Sequence, residues 1–142
     1  LNAGGYSLGA IPGGDENIKI QKLDDMVNSV DHIALIKADV EGSELKMLMG
    51  AVNLIERDRP FLYLENDIVE NSPALISYLW SLKYDIWWHV VPLFNPRNRA
   101  NTEQNIFSNT GSLNIICSPA EKDINMDTEK IKDAYFHPLN GR

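Results

Sequence analysis

Between His32 and Asp39 the chain is apolar at Ile33, Ala34, Leu35, Ile36 and Ala38. An unbroken run of this length predicts a central parallel strand covered on both faces. The period then changes. Leu45, Leu48, Met49, Val52 and Ile55 recur at three- and four-residue spacing and predict one helix with a single apolar stripe. Glu41 and Glu44 stand at its start, where the helix dipole favours acids, and Ser43 or Asp39 is the candidate cap. Arg57, Arg59 and Pro60 close it. Gly50 lies inside at a cost of about 1 kcal/mol in helix propensity, which points to a close approach to the sheet.

Further along, Pro60 to Glu65 predicts a second short buried strand, with Pro tolerated at its first residue. Ser72 to Leu82 predicts a helix whose apolar side is Leu75, Ile76, Leu79 and Trp80. Tyr84 to Leu93 is rich in β-branched and aromatic residues and predicts a strand, as does Leu113 to Ser118. Asn95 to Asn105 is a polar loop, and Asp127 to Tyr135 is expected to form a terminal helix. Upstream, Gly4-Gly5 and Pro12-Gly13-Gly14 make residues 1–17 a loop. Ile18 to Gln21 reads as a short extended piece and Leu23 to Val27 as a helical turn. Two strand–helix units imply parallel pairing by right-handed crossovers, and the last two strands, joined by a loop, suit antiparallel pairing. The expected fold is the tail of an open α/β sheet with helices on both faces.

Composition narrows the function. At 142 residues and 44% hydrophobic content, the chain suits one packed domain. Its formal net charge of −7 opposes binding to nucleic acid or to an anionic membrane. No apolar stretch is long enough to span a bilayer, and no signal peptide is visible, so the chain reads as cytosolic. It begins at Leu1, so an upstream segment is expected. The one cysteine, Cys117, sits in an apolar run and is expected to be a buried, inert hydrophobe. His32, His89 and His137 have no metal-ligand spacing, and His89 is expected to be structural. Trp80, Trp87 and Trp88 belong to the core, with one of them available to line a pocket. Arg97 and Arg99 read as solvated loop charges.

Candidate chemistry lies at the end of the first strand, in the run Ile36-Lys37-Ala38-Asp39-Val40-Glu41-Gly42-Ser43-Glu44-Leu45. In an open α/β sheet, ligands bind outside the carboxyl ends of the strands. Alternate strand residues share a face, so Lys37, Asp39 and Glu41 point the same way if the strand stays extended that far. Gly42 then allows a tight turn into the helix. Glu65 ends the next strand, so Asp39 and Glu65 would line one crevice if the strands are neighbours, with Asn66 and Asp67 at its rim. These residues alone leave three uses open. An acid could accept a proton from a hydroxyl. Two acids with Asn66 could hold a hard divalent cation. Asp39 could simply cap the helix.

The stretch Leu23-Asp24-Asp25-Met26, Ile33 to Ala51 and Arg59-Pro60-Phe61-Leu62-Tyr63-Leu64-Glu65 resembles the FkbM methyltransferase family. The matching positions include Asp24, Asp25, Lys37, Asp39, Val40, Glu41, Gly42, Glu44, Leu48, Gly50, Ala51, Pro60 and Glu65. The resemblance implies a Rossmann-like methyltransferase fold, S-adenosylmethionine as methyl donor, and a hydroxyl of a sugar, lipid or natural product as acceptor. It puts Asp39 first as the substrate-orienting or proton-accepting residue, followed by Glu41 and Glu65, with Lys37 in the same segment. It also implies that the cofactor's glycine-rich turn lies upstream. Gly4-Gly5, Gly9 and Gly13-Gly14 lack the strand–turn–helix context of such a turn. The expected unit is therefore the C-terminal portion of the domain, which would bind the cofactor weakly alone. Two other functions compete: a metal-dependent hydrolase or transferase built on Asp39 and Glu65, and a binding module without chemistry.

Overall fold

A computed structural model describes residues 19–27, 32–108 and 110–140. Its elements in chain order are α1 (Leu23–Met26), β1 (Leu35–Ala38), α2 (Glu44–Met49), α3 (Val52–Asp58), β2 (Phe61–Glu65), α4 (Ser72–Ser81), β3 (Tyr84–Pro92) and β4 (Gly111–Pro119). Short 3-10 turns follow at Ala120–Lys122 and Pro138–Asn140. The strands form one sheet in the order β1-β2-β4-β3. β1 and β2 are parallel, while β4 is antiparallel to both its neighbours. The expected loop over residues 1–17 lies outside the described residues.

Strand alternation decides where the core forms. The register puts Ala38 beside Leu64, Leu62 beside Cys117, Leu64 beside Ile115, and Cys117 beside Ile86, all on one face. These residues join Leu48, Leu54, Ile55, Ile76 and Leu79 in a single buried cluster. Helices α2, α3 and α4 therefore cover this face, and each fully buried Leu or Ile contributes roughly 1.5–3 kcal/mol. Cys117 lies inside the cluster, where burial pushes its thiol pKa up, in keeping with an inert residue.

The opposite face differs from the expectation of helices on both sides. Leu35, Lys37, Phe61, Tyr63, Glu65, Ile116 and His89 point there, and Leu35 is 60% exposed. Among the described residues no helix packs on it. β1 is also an edge strand in the described sheet rather than a central one, because β2 is its one described neighbour. Trp87 is buried on this face, with the Lys130 ammonium 5.7 Å from its ring centroid.

Two helical expectations fail for identifiable reasons. The helix expected from Leu45 to Ile55 is broken into α2 and α3 at Gly50-Ala51. The Gly50 carbonyl accepts from Asp24 N at 2.9 Å, tying the break to α1. A Cβ on Gly50 would lie 3.5 Å from Lys22 Cα, so the close approach is to the entry of α1, not to the sheet. The break exposes Met49 and Val52 and turns Ala51 inward. The terminal helix expected over Asp127 to Tyr135 is absent. Lys130 instead bridges to Trp87, and Ile131 N donates to Ile86 O at 2.7 Å. The outer edge of β3 supplies this acceptor, and Ile131 and Ala134 reach the core from an extended path.

Candidate functional site

The site grows from the turn that joins β1 to α2. Glu41 and Gly42 both have positive φ, 51° and 85°, and reverse the chain within two residues. A Cβ on Gly42 would meet Ile68 Cδ1 at 2.6 Å, the end of a side chain that can shift, so the positive φ is the main reason for glycine here. Neither Ser43 nor Asp39 caps α2 through a side chain. The buried carboxylate of Glu44 does related work: Oε1 accepts from Val40 N at 3.0 Å and Gly42 N at 3.4 Å. The acid of the first turn thus clasps the loop that carries Asp39 and Glu41.

Parallel pairing of β1 with β2 brings the third acid across. Carboxylate oxygens of Asp39, Glu41 and Glu65 all lie within 4.8 Å of one another. β1 ends at Ala38, so Glu41 arrives through the left-handed turn rather than along an extended strand. Lys37 Nζ lies 3.6 Å from Asp39 Oδ2, a largely exposed pair that orients Asp39 while contributing little stability.

Glu65 is the electrostatically unusual member. Its pKa is raised to about 7, first by desolvation, then by hydrogen bonding with Asp39 and by the negative charges of Asp67, Asp39 and Glu41. With all three acids ionised, its Oε2 is buried without a hydrogen-bond partner. A proton on Glu65 turns the Asp39 contact into a hydrogen bond.

Asn66 is not at the rim. It is buried, and its Nδ2 donates to Ser72 Oγ at 2.9 Å. Its side chain is turned away from the acids, so the cation set that included Asn66 is not formed; Glu41 takes that place. Asp67 is exposed and stays at the edge of the site. His89 is bound to another side chain, its Nδ1 lying 3.0 Å from Tyr63 Oη, with the rings edge to face at 5.7 Å. Trp88 is half-buried, and its Nε1 is buried without a partner.

Sequence reasoning missed His137. It is buried, its Nε2 lies 3.0 Å from Asn66 O, and its Nδ1 accepts from Leu139 N at 3.2 Å. The Nδ1 contact fixes the neutral tautomer, so Nε2 donates to Asn66. A lone histidine near the chain's end carries no pattern that would have revealed this clasp. Glu44 was legible as a first-turn acid, but its burial was not.

A family model described as the methyltransferase FkbM domain matches residues 3–86, more than half of the chain. The matched span runs from before α1 into β3 and contains Lys37, Asp39, Glu41 and Glu65. No curated protein and no solved structure gives a significant match.

Proposed function

The chain belongs to the FkbM methyltransferase domain family, and from that membership we propose that it methylates a hydroxyl group with S-adenosylmethionine as donor. The observation that carries this reading is Glu65, a carboxyl with a pKa of about 7 in contact with two further acids at the carboxyl ends of parallel strands. A general base works best when its pKa lies near the operating pH. The sheet order, with two parallel strands and an antiparallel β4 inserted beside them, supports a Rossmann-like architecture.

In this reading Glu65 takes the proton of the acceptor hydroxyl. Asp39, steadied by Lys37, orients that hydroxyl, and Glu41 adds negative charge. When bound, the donor supplies a methyl group on a positively charged sulfur; the carbon–sulfur bond breaks as the carbon–oxygen bond forms. An anionic cluster suits the sulfonium end of that donor. It does not provide for the nucleoside and methionine ends. Gly42 is the described glycine between a strand and a helix, and the Ile68 side chain lies against it. Those contacts are assigned to chain beyond the described residues.

Transfer of a labelled methyl group to a panel of hydroxylated acceptors tests the reading. Glu65→Gln should lose about 10²- to 10⁴-fold in rate, the usual worth of a general base. Asp39→Asn should also slow transfer. If both variants transfer at the parent rate, the acids are not the machinery. Calorimetry with S-adenosylhomocysteine should show no tight complex for this chain alone; a tight one would overturn the assignment of the remaining contacts.

A second reading rests on the mutual approach of Asp39, Glu41 and Glu65, an oxygen set suited to a hard divalent cation. It requires magnesium or calcium to raise the melting temperature, an effect lost in Asp39→Ala.

A further inference from the structure

The β3–β4 hairpin outruns the rest of the sheet. Glu65, the last residue of β2, pairs with Asn114, whereas the β3–β4 ladder continues to Pro92 opposite Gly111. β2 and β3 are both antiparallel to β4, so the hairpin projects from the end of the sheet that carries Glu65. Three further residue pairs, at about 3.4 Å each, carry it roughly 10 Å past Glu65 before the connecting loop begins.

The tip of this hairpin holds apolar side chains outward. Ile106 is 73% exposed, and Leu93 and Phe107 are 48% and 44% exposed. Single exposed apolar residues need no explanation, but several on one projecting tip mark a contact surface. The backbone that carries them is closed on itself. Thr110 O accepts from Leu93 N, and Phe107 O accepts from Thr110 N, each at 3.0 Å. Asn105 Oδ1 accepts from Phe107 N at 2.9 Å. Asn98 ties the other limb, donating to Thr102 O at 2.7 Å and accepting from Thr102 N at 3.3 Å. Main-chain groups paired in this way can leave water at little cost, as entry into a lipid interface demands.

Charge points to the same partner. Arg97 and Arg99 are exposed, and neither forms an ion pair among the described residues. From Leu93 to Thr110 these two arginines face one acid, Glu103, while the rest of the chain has eleven basic against nineteen acidic residues. We infer that the hairpin tip docks on the surface of a bilayer containing anionic phospholipid. Leu93, Ile106 and Phe107 enter the interface, and Arg97 and Arg99 meet the headgroups. The net charge of −7 opposes this only where the acids approach as closely as the tip. The projection sets Glu65 and its neighbouring acids back by more than the ~8 Å over which charges are screened at physiological salt. The contact is superficial, since no described helix is long and apolar enough to cross a membrane. An acidic protein groove would match the charge, but the closed backbone leaves few main-chain groups for a protein to bond, which favours lipid.

Flotation of the whole chain with vesicles of two parts phosphatidylcholine to one part phosphatidylglycerol tests the inference, independently of methyl transfer. The protein should float with these vesicles and about tenfold less with phosphatidylcholine alone. Ile106→Ser combined with Phe107→Ser should lower partition about tenfold or more. Arg97→Gln and Arg99→Gln should each lower it about fivefold on the mixed vesicles and hardly at all on phosphatidylcholine. Because these side chains are exposed, the variants should keep the parent melting temperature, which separates lost docking from lost folding. Leu35→Ser, on the opposite edge strand, should float like the parent. Absence of flotation, flotation unchanged in the Ile106/Phe107 variant, or flotation lost in Leu35→Ser would overturn the inference. So would self-association without flotation that disappears in the Ile106/Phe107 variant, since a second copy would then cover the tip.

Discussion

Glu65 shows how one side chain's surroundings set its chemistry. A raised carboxyl pKa means the folded state holds a proton that the unfolded chain has already released. The free-energy benefit of neutral Glu65 is therefore present at low pH and is lost as pH rises from the ordinary value of 4.5 through about 7. Above that window the ionised group destabilises the fold. The full shift would correspond to more, but solvent screening at this half-buried position reduces it to about 1–2 kcal/mol. Glu65→Gln should accordingly raise stability by that amount at pH 8 and by almost nothing at pH 5, as read from urea unfolding midpoints. An equal change at both pH values would mean that Glu65 is not the group titrating. The residue types were legible in the sequence: acids ending two strands, and a glycine where the chain turns. What could not be read was that Asn66 would turn inward to Ser72 while Glu41 turned toward Asp39. The first depends on the loop between β2 and α4, the second on the positive φ of Glu41 and Gly42 in the turn between β1 and α2.

Among the elements, local chemistry predicted the strands and α4 closely, because alternation and a Ser-Pro start leave few choices. The α2–α3 segment shows where that logic stops. Met49 and Val52 sit at helical spacing with Leu45 and Ile55, and so does the alternative set Leu48, Ala51 and Leu54. Periodicity cannot choose between them. The choice is made by Gly50, whose carbonyl bonds to α1 and ends the helix there. The structure therefore separates neighbouring substitutions. Met49→Lys should change stability by less than about 0.5 kcal/mol, whereas Leu48→Ala should cost about 2–5 kcal/mol through the cavity it leaves. Glu44→Ala should cost about 1–2 kcal/mol, because it strips the acceptor from Val40 N and Gly42 N. Glu44→Gln, which keeps an acceptor oxygen, should cost less. Chemical denaturation of the four proteins tests the ranking; equal losses for Ala and Gln at position 44 would show that the clasp does not hold the turn.

For the molecule as a whole, parallel pairing and an antiparallel final strand followed from connection lengths, but the strand order did not. Nothing local to Gly111–Pro119 announces that it inserts between β2 and β3, and nothing announces that all the described helices gather on one face. Long-range closure is equally silent in sequence. His137 reaches back 71 residues to the Asn66 carbonyl, so the chain's last turn is fastened beside the acid cluster. Removing it in His137→Ala leaves that carbonyl buried without its donor, a loss of about 1–3 kcal/mol. His137→Gln, whose amide can donate from a similar distance, should recover part of it. The clasp meets the backbone of the residue that follows Glu65, and desolvation is the largest cause of the raised Glu65 pKa. Loosening the clasp should let water reach Glu65 and move its titration from about 7 back toward 4.5, which carboxyl-carbon NMR can follow. If His137→Ala lowers stability while the Glu65 titration stays put, the histidine only ties down the tail. If both move, the last turn of the chain helps set the proton affinity of a site formed by β1 and β2.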